Sequence, residues 1–503
     1  MNYYITDNLA GSVSLKDIPE VEYAALYNDL KERLKQDSYH VAHYFATPDG
    51  NRLRFYILLL DDAAHKVMVA SFSMEYYEDV ALPSLTALHP ALHVYEREIS
   101  ELYNVEFDSM PWNKPLRFPF NRRNRNSTMD NYPFYTIEGE SLHEVNVGPI
   151  HAGIIEPGAF RFVCNGENVL HLEIALGYQH RGVEQAFCST ENRLRQTLLA
   201  EGIAGDSAVS HATAYATTIE KLCGKRASTA LDVERTVALE LERMAMHIAD
   251  TGALSMDVGY QLGQVACEAL RTMTINTTQA WCGNRFGKGL IRPCGTNKPL
   301  TAEKVEMIRT NVKEIRRRYN EVREDIKSSP TLLSRFEECG IVPKAEMQRI
   351  GGVGMAARAS GVKRDIRASH PYAAYSTEIA HESIVKRQGD VMSRLMIRSR
   401  EVLQSADYIE QLLASYTPTE LSRPDYEAEL AAEALSFSMV EGWRGEICHI
   451  AITDNKGVIS TYKVKDPSLH NWLALAIAVR GEGISDFPIC NKSFNLSYCG
   501  HDL

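Results

Sequence analysis

The sequence predicts an α+β fold: a small N-terminal α+β domain over residues 1–110, a linker over 111–142, and a large, mostly helical domain over 143–503 built around a bundle of long helices. Three observations carry this. Short apolar runs with turn residues between them occupy the first unit, long apolar stripes at helical spacing dominate the middle, and the strand pattern returns near residue 436. At 503 residues the chain exceeds one ordinary hydrophobic core.

In the first unit, Arg52-Leu-Arg-Phe-Tyr-Ile-Leu-Leu-Leu60 and Lys66-Val-Met-Val-Ala-Ser-Phe-Ser73 flank the polar turn Asp61-Asp-Ala-Ala-His65, a hairpin pattern. Pro90 suits the first turn of a helix in which Leu92, Tyr95, Ile99 and Leu102 recur on one face, with Glu96, Arg97, Glu98 and Glu101 on the other. Residues 111–142 change character. Pro111, Pro115, Pro119 and Pro133 are interspersed with Arg117, Arg122, Arg123 and Arg125, which reads as an extended linker. Its arginines fit either a solvated loop or a clamp on a partner chain.

Beyond it, three stripes predict long packed helices. They are Val237, Leu241, Met244 and Ile248; then Val305, Ile308, Val312, Ile315, Val322 and Ile326 after the N-cap Thr301; then Val391, Leu395, Val402, Ile409 and Leu413. Glu234, Arg235, Glu242 and Arg243 back the first stripe. Near the end, Glu446-Ile-Cys-His-Ile-Ala-Ile452 and Val458-Ile-Ser-Thr-Tyr-Lys-Val464 enclose the turn Asp454-Asn-Lys-Gly457, a second hairpin.

Composition narrows the function classes. A net charge of −11 argues against nucleic acid as the main partner. The longest apolar run, Trp472-Leu-Ala-Leu-Ala-Ile-Ala-Val479, falls far short of the ~20 residues of a membrane span, and the N-terminus has no signal-peptide pattern. The chain is therefore expected at the cytoplasmic face of a membrane, held there through partner subunits. None of its ten cysteines stands in C-x-x-C spacing, so no iron–sulfur cluster or structural zinc is expected within the chain.

Ordered motifs run from about residue 90 to the end. Glu96-Arg-Glu-Ile-Ser-Glu-Leu-Tyr-Asn-Val-Glu-Phe107 and Leu116-Arg-Phe118 resemble the small peripheral-arm subunit of respiratory complex I. Gly148-Pro-Ile-His151, Glu156-Pro-Gly158, Gly177-Tyr-Gln-His-Arg-Gly-Val-Glu184, His211-Ala-Thr-Ala-Tyr215, Glu220-Lys-Leu-Cys-Gly224, Ser360-Gly-Val-Lys-Arg-Asp-Ile-Arg367, His370-Pro-Tyr372 and Arg444-Gly-Glu446 follow. Together these resemble the superfamily shared by group 4 nickel–iron hydrogenase large subunits and the quinone-site subunit of complex I. The fusion of the two units looks like the large subunits of formate hydrogenlyase and hydrogenase-4. The resemblance implies small β elements at both ends of the large domain.

It also implies where chemistry would sit. The family's four nickel-binding cysteines fall on Ala204, Ser207, Ser497 and Gly500, within Glu201-Gly-Ile-Ala-Gly-Asp-Ser-Ala-Val-Ser-His211 and Ser493-Phe-Asn-Leu-Ser-Tyr-Cys-Gly500. Cys499 stands one place from a ligand position. Without thiolates a nickel–iron centre is not expected, nor is C-terminal maturation cleavage. The quinone-holding histidine and tyrosine of the complex I branch fall near Ile155 and Gly205, while the partner aspartate matches Asp257. Cavity-lining catalytic candidates are Glu156, Asp206, His211, Asp257 and Arg444, with His151 and Ser207 as weaker cofactor contacts. Glu156 matches the hydrogenase proton-transfer glutamate and is expected to carry protons, whereas His211 is expected to be structural. The chain itself is expected to bind no metal. A quinone is one candidate acceptor, with electrons supplied by an iron–sulfur cluster in a small neighbouring subunit and an integral-membrane proton-channel-type subunit completing the assembly. A redox-inactive coupling or structural role in the same complex stays open.

Overall fold

A computed structural model describes residues 1–75, 81–153 and 155–503. In the N-terminal unit, β1 (Tyr4–Thr6), β3 (Tyr39–Asp49), β4 (Arg52–Asp61) and β5 (Lys66–Glu75) form an antiparallel sheet in the order β1-β5-β4-β3. The expected hairpin is β4 and β5, in register from Arg52 opposite Glu75 to Asp61 opposite Lys66. Helices α1 (Tyr23–Arg33) and α2 (His93–Tyr103) pack Leu26, Leu30, Tyr95 and Ile99 with Leu53, Phe55, Ile57 and Leu59 of the sheet. The short β2 (Val13–Ser14) leaves this unit and pairs with a strand near the other end of the chain, at Ala434 and Leu435. Asn8 fastens the same crossing. Its amide nitrogen donates to the carbonyls of His370 and Met439, and its amide oxygen accepts from the Met439 N–H.

The charged face of α2 does not meet solvent as its periodicity predicts: Glu96, Arg97 and Glu98 are all buried. Glu96 accepts from Ser84, Thr86 and the Leu85 amide, pinning the preceding loop. Glu98 pairs with Arg117 of the linker and Lys463 of the C-terminal sheet. Arg117 is likewise buried rather than solvated, and its Nε donates to the His501 carbonyl at 2.6 Å. Part of the linker's arginine cluster thus clamps this chain's own two ends together.

The large domain opens with a three-stranded antiparallel sheet of β6 (Leu142–Val147), β7 (Ala159–Asn165) and β8 (Asn168–Ala175). Helix α3 (Ala208–Leu222) leads into the bundle of α4 (Thr229–Asp257), α5 (Gln261–Cys282), α6 (Ala302–Ser328) and α7 (Val391–Ser415). Three of these are the predicted stripes, with Thr301 capping α6. The fourth, α5, buries Cys267, Leu270, Thr274, Thr277, Thr278 and Trp281, a stripe too rich in threonine to register as apolar. In α4 the residues behind the stripe are inside as well: Glu234, Arg235, Glu242 and Arg243 are buried, because α4 is covered on several sides. The predicted C-terminal hairpin is β10 (Glu446–Thr453) with β11 (Ile459–Lys465), joined in one sheet by β9 (Ala434–Glu441) and β2. Helices α8 (Ser468–Ala478) and α9 (Tyr498–Asp502) follow, α9 seated against the turn after β8 and the linker through Asp502 and His501. Among the described residues no helix is long and apolar enough to cross a membrane.

Candidate functional site

The two segments aligned with the family's metal loops meet where α3 begins and α9 begins. Ser207 precedes the first turn of α3, and Ser497 caps α9, its hydroxyl accepting from the Gly500 N–H at 2.9 Å. Ala204 is fully buried and presents only a methyl group. At Gly500 an added Cβ would lie 2.7 Å from the Asp466 carboxyl and 2.9 Å from the Ser497 hydroxyl, so a larger side chain there would have to displace the carboxylate.

An ion pair closes the space between the loops. Arg444 Nη1 and Nη2 each donate to one oxygen of Asp206 at 2.7 Å, the two-pronged geometry that suits a guanidinium and a carboxylate. Arg444 Nε donates to the Asn495 carbonyl at 2.5 Å, and Nη1 approaches Ser207 Oγ at 3.4 Å. Its guanidinium lies 3.9 Å from the centre of the Trp443 ring, whose N–H donates to the Asp206 carbonyl at 2.8 Å. Asp206, Ser207 and Arg444 are thus brought together.

His211 is fully buried one turn further along α3. Its Nε2 meets Asp466 at 3.1 Å and its Nδ1 meets His449 Nε2 at 3.0 Å, while His449 Nδ1 meets the Tyr462 hydroxyl at 2.8 Å. One proton assignment satisfies the row: Tyr462 donates to His449, His449 to His211, and His211 to Asp466. Burial would raise the Asp466 carboxyl, but the His211 bond holds it below its ordinary value.

Glu156 and His151 occupy the loop between β6 and β7, both half-buried. His151 Nε2 bonds to the Gly158 carbonyl at 2.8 Å and so ties the loop to itself. Glu156 lies against the Cys499 thiol. Burial, with the Glu156 charge added, pushes that thiol up to about 11, so it stays protonated near neutral pH. Asp257 sits apart, exposed at the end of α4. Two turns earlier on the same helix, Asp250 is buried. It accepts from Asn495 Nδ2 at 2.6 Å and meets Arg398 at 2.6 Å.

Sequence reading also passed over Glu242. This buried carboxylate accepts from the Val209 N–H at 2.7 Å, the Ser210 N–H at 3.2 Å and the Ser210 hydroxyl, so it receives the start of α3. No cation contacts it among the described residues, and burial, with Asp206 nearby, pushes it up to about 7. Its position behind an apolar stripe made it look like surface. Asp466 carries no local sequence signal, since only the fold brings it to Gly500.

From Asp250 a buried chain of charges runs inward. Arg398 Nη1 meets His247 at 3.2 Å, His247 meets Glu401 at 2.7 Å, and Glu401 pairs with Arg358 at 2.7 Å and Arg367 at 3.1 Å. Among the described residues no group of three or more His, Cys, Asp and Glu side chains is placed to hold a metal ion.

Comparison with known proteins agrees with both units. Residues 17–122 match the family of the 30 kDa subunit of respiratory-chain NADH dehydrogenase, and residues 257–435 match that of its 49 kDa subunit. Hydrogenase-4 component G of Escherichia coli K12 is 25% identical over 469 residues, covering 90% of this chain and 81% of the relative. Formate hydrogenlyase subunit 5 of the same organism is 26% identical over 435 residues, 83% and 76% of the two chains. NADH-quinone oxidoreductase subunit 4 of Thermus thermophilus is 26% identical over 369 residues, 68% and 89%. A chain of the archaeal membrane-bound sulfane sulfur reductase, a respiratory membrane complex, shares the fold, with a TM-score of 0.67 at 21% identity over 73% of this chain and all of that one.

Proposed function

From a chain whose two segments match the 30 kDa and 49 kDa families of complex I, with similarity to hydrogenase subunits, we propose a peripheral-arm subunit of a membrane-bound, ion-translocating oxidoreductase that works without nickel. The observation that carries this reading is the Asp206–Arg444 pair lying between the former ligand loops, with Asp466 filling the space that a side chain at residue 500 would need. A nickel–iron centre requires soft thiolates. Here the four positions offer a methyl group, two hydroxyls and a hydrogen, and the nearby Cys499 thiol is held protonated. These residues do not fit the centre.

Electrons would then arrive from an iron–sulfur cluster in a small neighbouring subunit, with an integral-membrane subunit completing the path at the cytoplasmic face. Ile150 and Ile155 are 83% and 51% exposed on the β6–β7 loop, an apolar edge suited to either neighbour or to a lipophilic acceptor such as a quinone. The proton-handling groups would be Glu156, at the mouth beside Cys499, and Asp206 with Arg444 behind it. A second reading, in which the chain couples conformation or protons to the membrane arm without redox chemistry of its own, is favoured by one observation. The space beside Asp206 and Glu242 measures only about 10 Å³, room for a single water molecule rather than a quinone ring.

Elemental analysis and solvent extraction of the intact complex test both readings. The expected result is no nickel, together with iron and acid-labile sulfide carried by another subunit. Nickel near one atom per chain would overturn the proposal. Co-purifying quinone with quinone-dependent turnover selects the first reading, and turnover that ignores quinone selects the second.

A further inference from the structure

A second cavity opens beside α9, with His501 in its lining. It measures about 640 Å³, within the range of roughly 300–1,000 Å³ usual for small-molecule sites. It opens between α2, the linker, β8 and α8. Leu469, Leu473, Ala476 and Ile477 of α8 line one wall, with Trp112 and Leu170 among the residues facing them.

Two polar groups, one of them unsatisfied, stand together in its wall. His93 is 4% exposed and stacks on Trp112, with ring centres 4.9 Å apart. Burial keeps its imidazole neutral, well below its ordinary pKa. Arg97 Nη1 lies 3.4 Å from His93 Nδ1, and a guanidinium can only donate, so Nδ1 is the acceptor and Nε2 carries the hydrogen. That Nε2–H has no acceptor. Arg97 itself is 7% exposed. Its Nε and Nη2 donate to the carbonyls of Lys114 and Pro115 at 2.6 Å, and its guanidinium lies 4.9 Å over the Trp112 ring. Glu101 and Glu173 stand near enough to favour its charge, but among the described residues neither forms an ion pair with it. A buried donor without an acceptor is costly, and here it adjoins a buried cation on one cavity wall. The nearest acid in the lining, Glu173, is already taken by Lys114 and the Tyr135 N–H, while the exposed Arg480 stands on the α8 side of the lining.

We propose that this cavity binds a long-chain monocarboxylate, its carboxylate accepting from His93 Nε2–H within the field of Arg97 and its alkyl chain lying along Leu469, Leu473 and Ile477. The α2–linker–α8 junction is then a lipid-acid site that ties the two family domains together, independent of the redox assignment above.

Calorimetric titration of the full-length chain with dodecanoate, below its micellar concentration, tests this. Saturable binding to one site is expected. Ala476→Trp, which fills the cavity, should weaken it at least tenfold. His93→Phe, which keeps the stacked ring and loses the donor, should weaken it about tenfold and decides the matter alone if the tryptophan variant does not fold. Dodecyltrimethylammonium, with the same tail and a cationic head, should bind at least tenfold more weakly than dodecanoate. Absence of saturable dodecanoate binding, unchanged affinity in His93→Phe, or equal affinity for the cationic amphiphile would each overturn the proposal.

Discussion

Two buried charged regions of the helical domain use the same residue types and close their charges differently. In the bundle core, Arg243, Arg358, Arg367 and Arg398 interlock with Glu240, Asp250, Asp365, Glu401 and Glu441, and every member contacts an opposite charge. At the segments aligned with the family's metal loops, Asp206 and Arg444 close on each other, but Glu242 behind them has hydrogen-bond donors and, among the described residues, no cation in contact. Several cations around Glu401 hold it well below the ordinary carboxylate value even though burial pushes the other way, whereas Glu441, facing Asp365 as well as Arg358, is pushed up by burial to about 7. Lack of compensation leaves Glu242 free to change state near neutral pH. A carboxylate enclosed by several cations, as Glu401 is, is scaffold, and an unpaired carboxyl beside a cavity can take up and release a proton.

The sharpest way to break this contrast is inside the paired network. Glu401→Gln leaves Arg358 and Arg367 short of a charge in a fully buried place, a change that costs about 3–5 kcal/mol. Denaturant unfolding of the variant should show it, with loss of assembled complex as the cellular counterpart.

Glu242→Gln should act through pH. Its carboxyl is raised from 4.5 to about 7 in the fold, so folding favours the protonated form. Its contribution is complete below pH 4.5 and declines as pH rises through about 7, by up to about 3 kcal/mol in all. The glutamine variant lacks that decline, so its stability relative to the parent should grow between pH 5 and 7.5 and then level off. Parallel curves would remove Glu242 from the titrating set.

Glu156→Gln sharpens the comparison on the activity side. The amide is isosteric and should allow assembly, yet it carries no proton, so turnover or ion translocation should fall by ~10²-fold on the usual scale for acid–base groups. Normal assembly with parental turnover would make Glu156 a structural remnant and leave proton transfer without its named carrier at the mouth.

The smallest effect concerns Cys499. A half-buried thiol with its pKa near 11 should react with iodoacetamide far more slowly in the native chain than after denaturation. Rapid native labelling, followed by mass spectrometry of the C-terminal peptide, would mean that the thiol is more exposed and more acidic than the structure has it.

Local pattern was enough for both hairpins, the three apolar stripes and the Thr301 cap, because each depends on residues adjacent in sequence or on one helical face. The motif alignment likewise brought Asp206, Ser207 and Arg444 to one place before any geometry was seen. On α4 it named Asp257, which lies exposed, while packing gives Asp250, two turns earlier, the contacts to Asn495 and Arg398. Charge periodicity misled most. The polar faces of α2 and α4 look solvated in sequence, and both are buried against other charged chains.

The sequence by itself determined the element types and the chemical identity of the former ligand positions, because helix and strand periodicities and the presence or absence of a sulfur atom are local properties. Tertiary structure alone decided which charges are paired. Asp466 reaches Gly500 from 34 residues away, Arg117 reaches Glu98 and His501, and among the described residues Arg97 has no carboxylate in ion-pair contact while Arg358 has three. Ion pairing depends on contact over a few ångströms in a medium that screens poorly, and those contacts are made between segments whose separation along the chain says nothing of their separation in space.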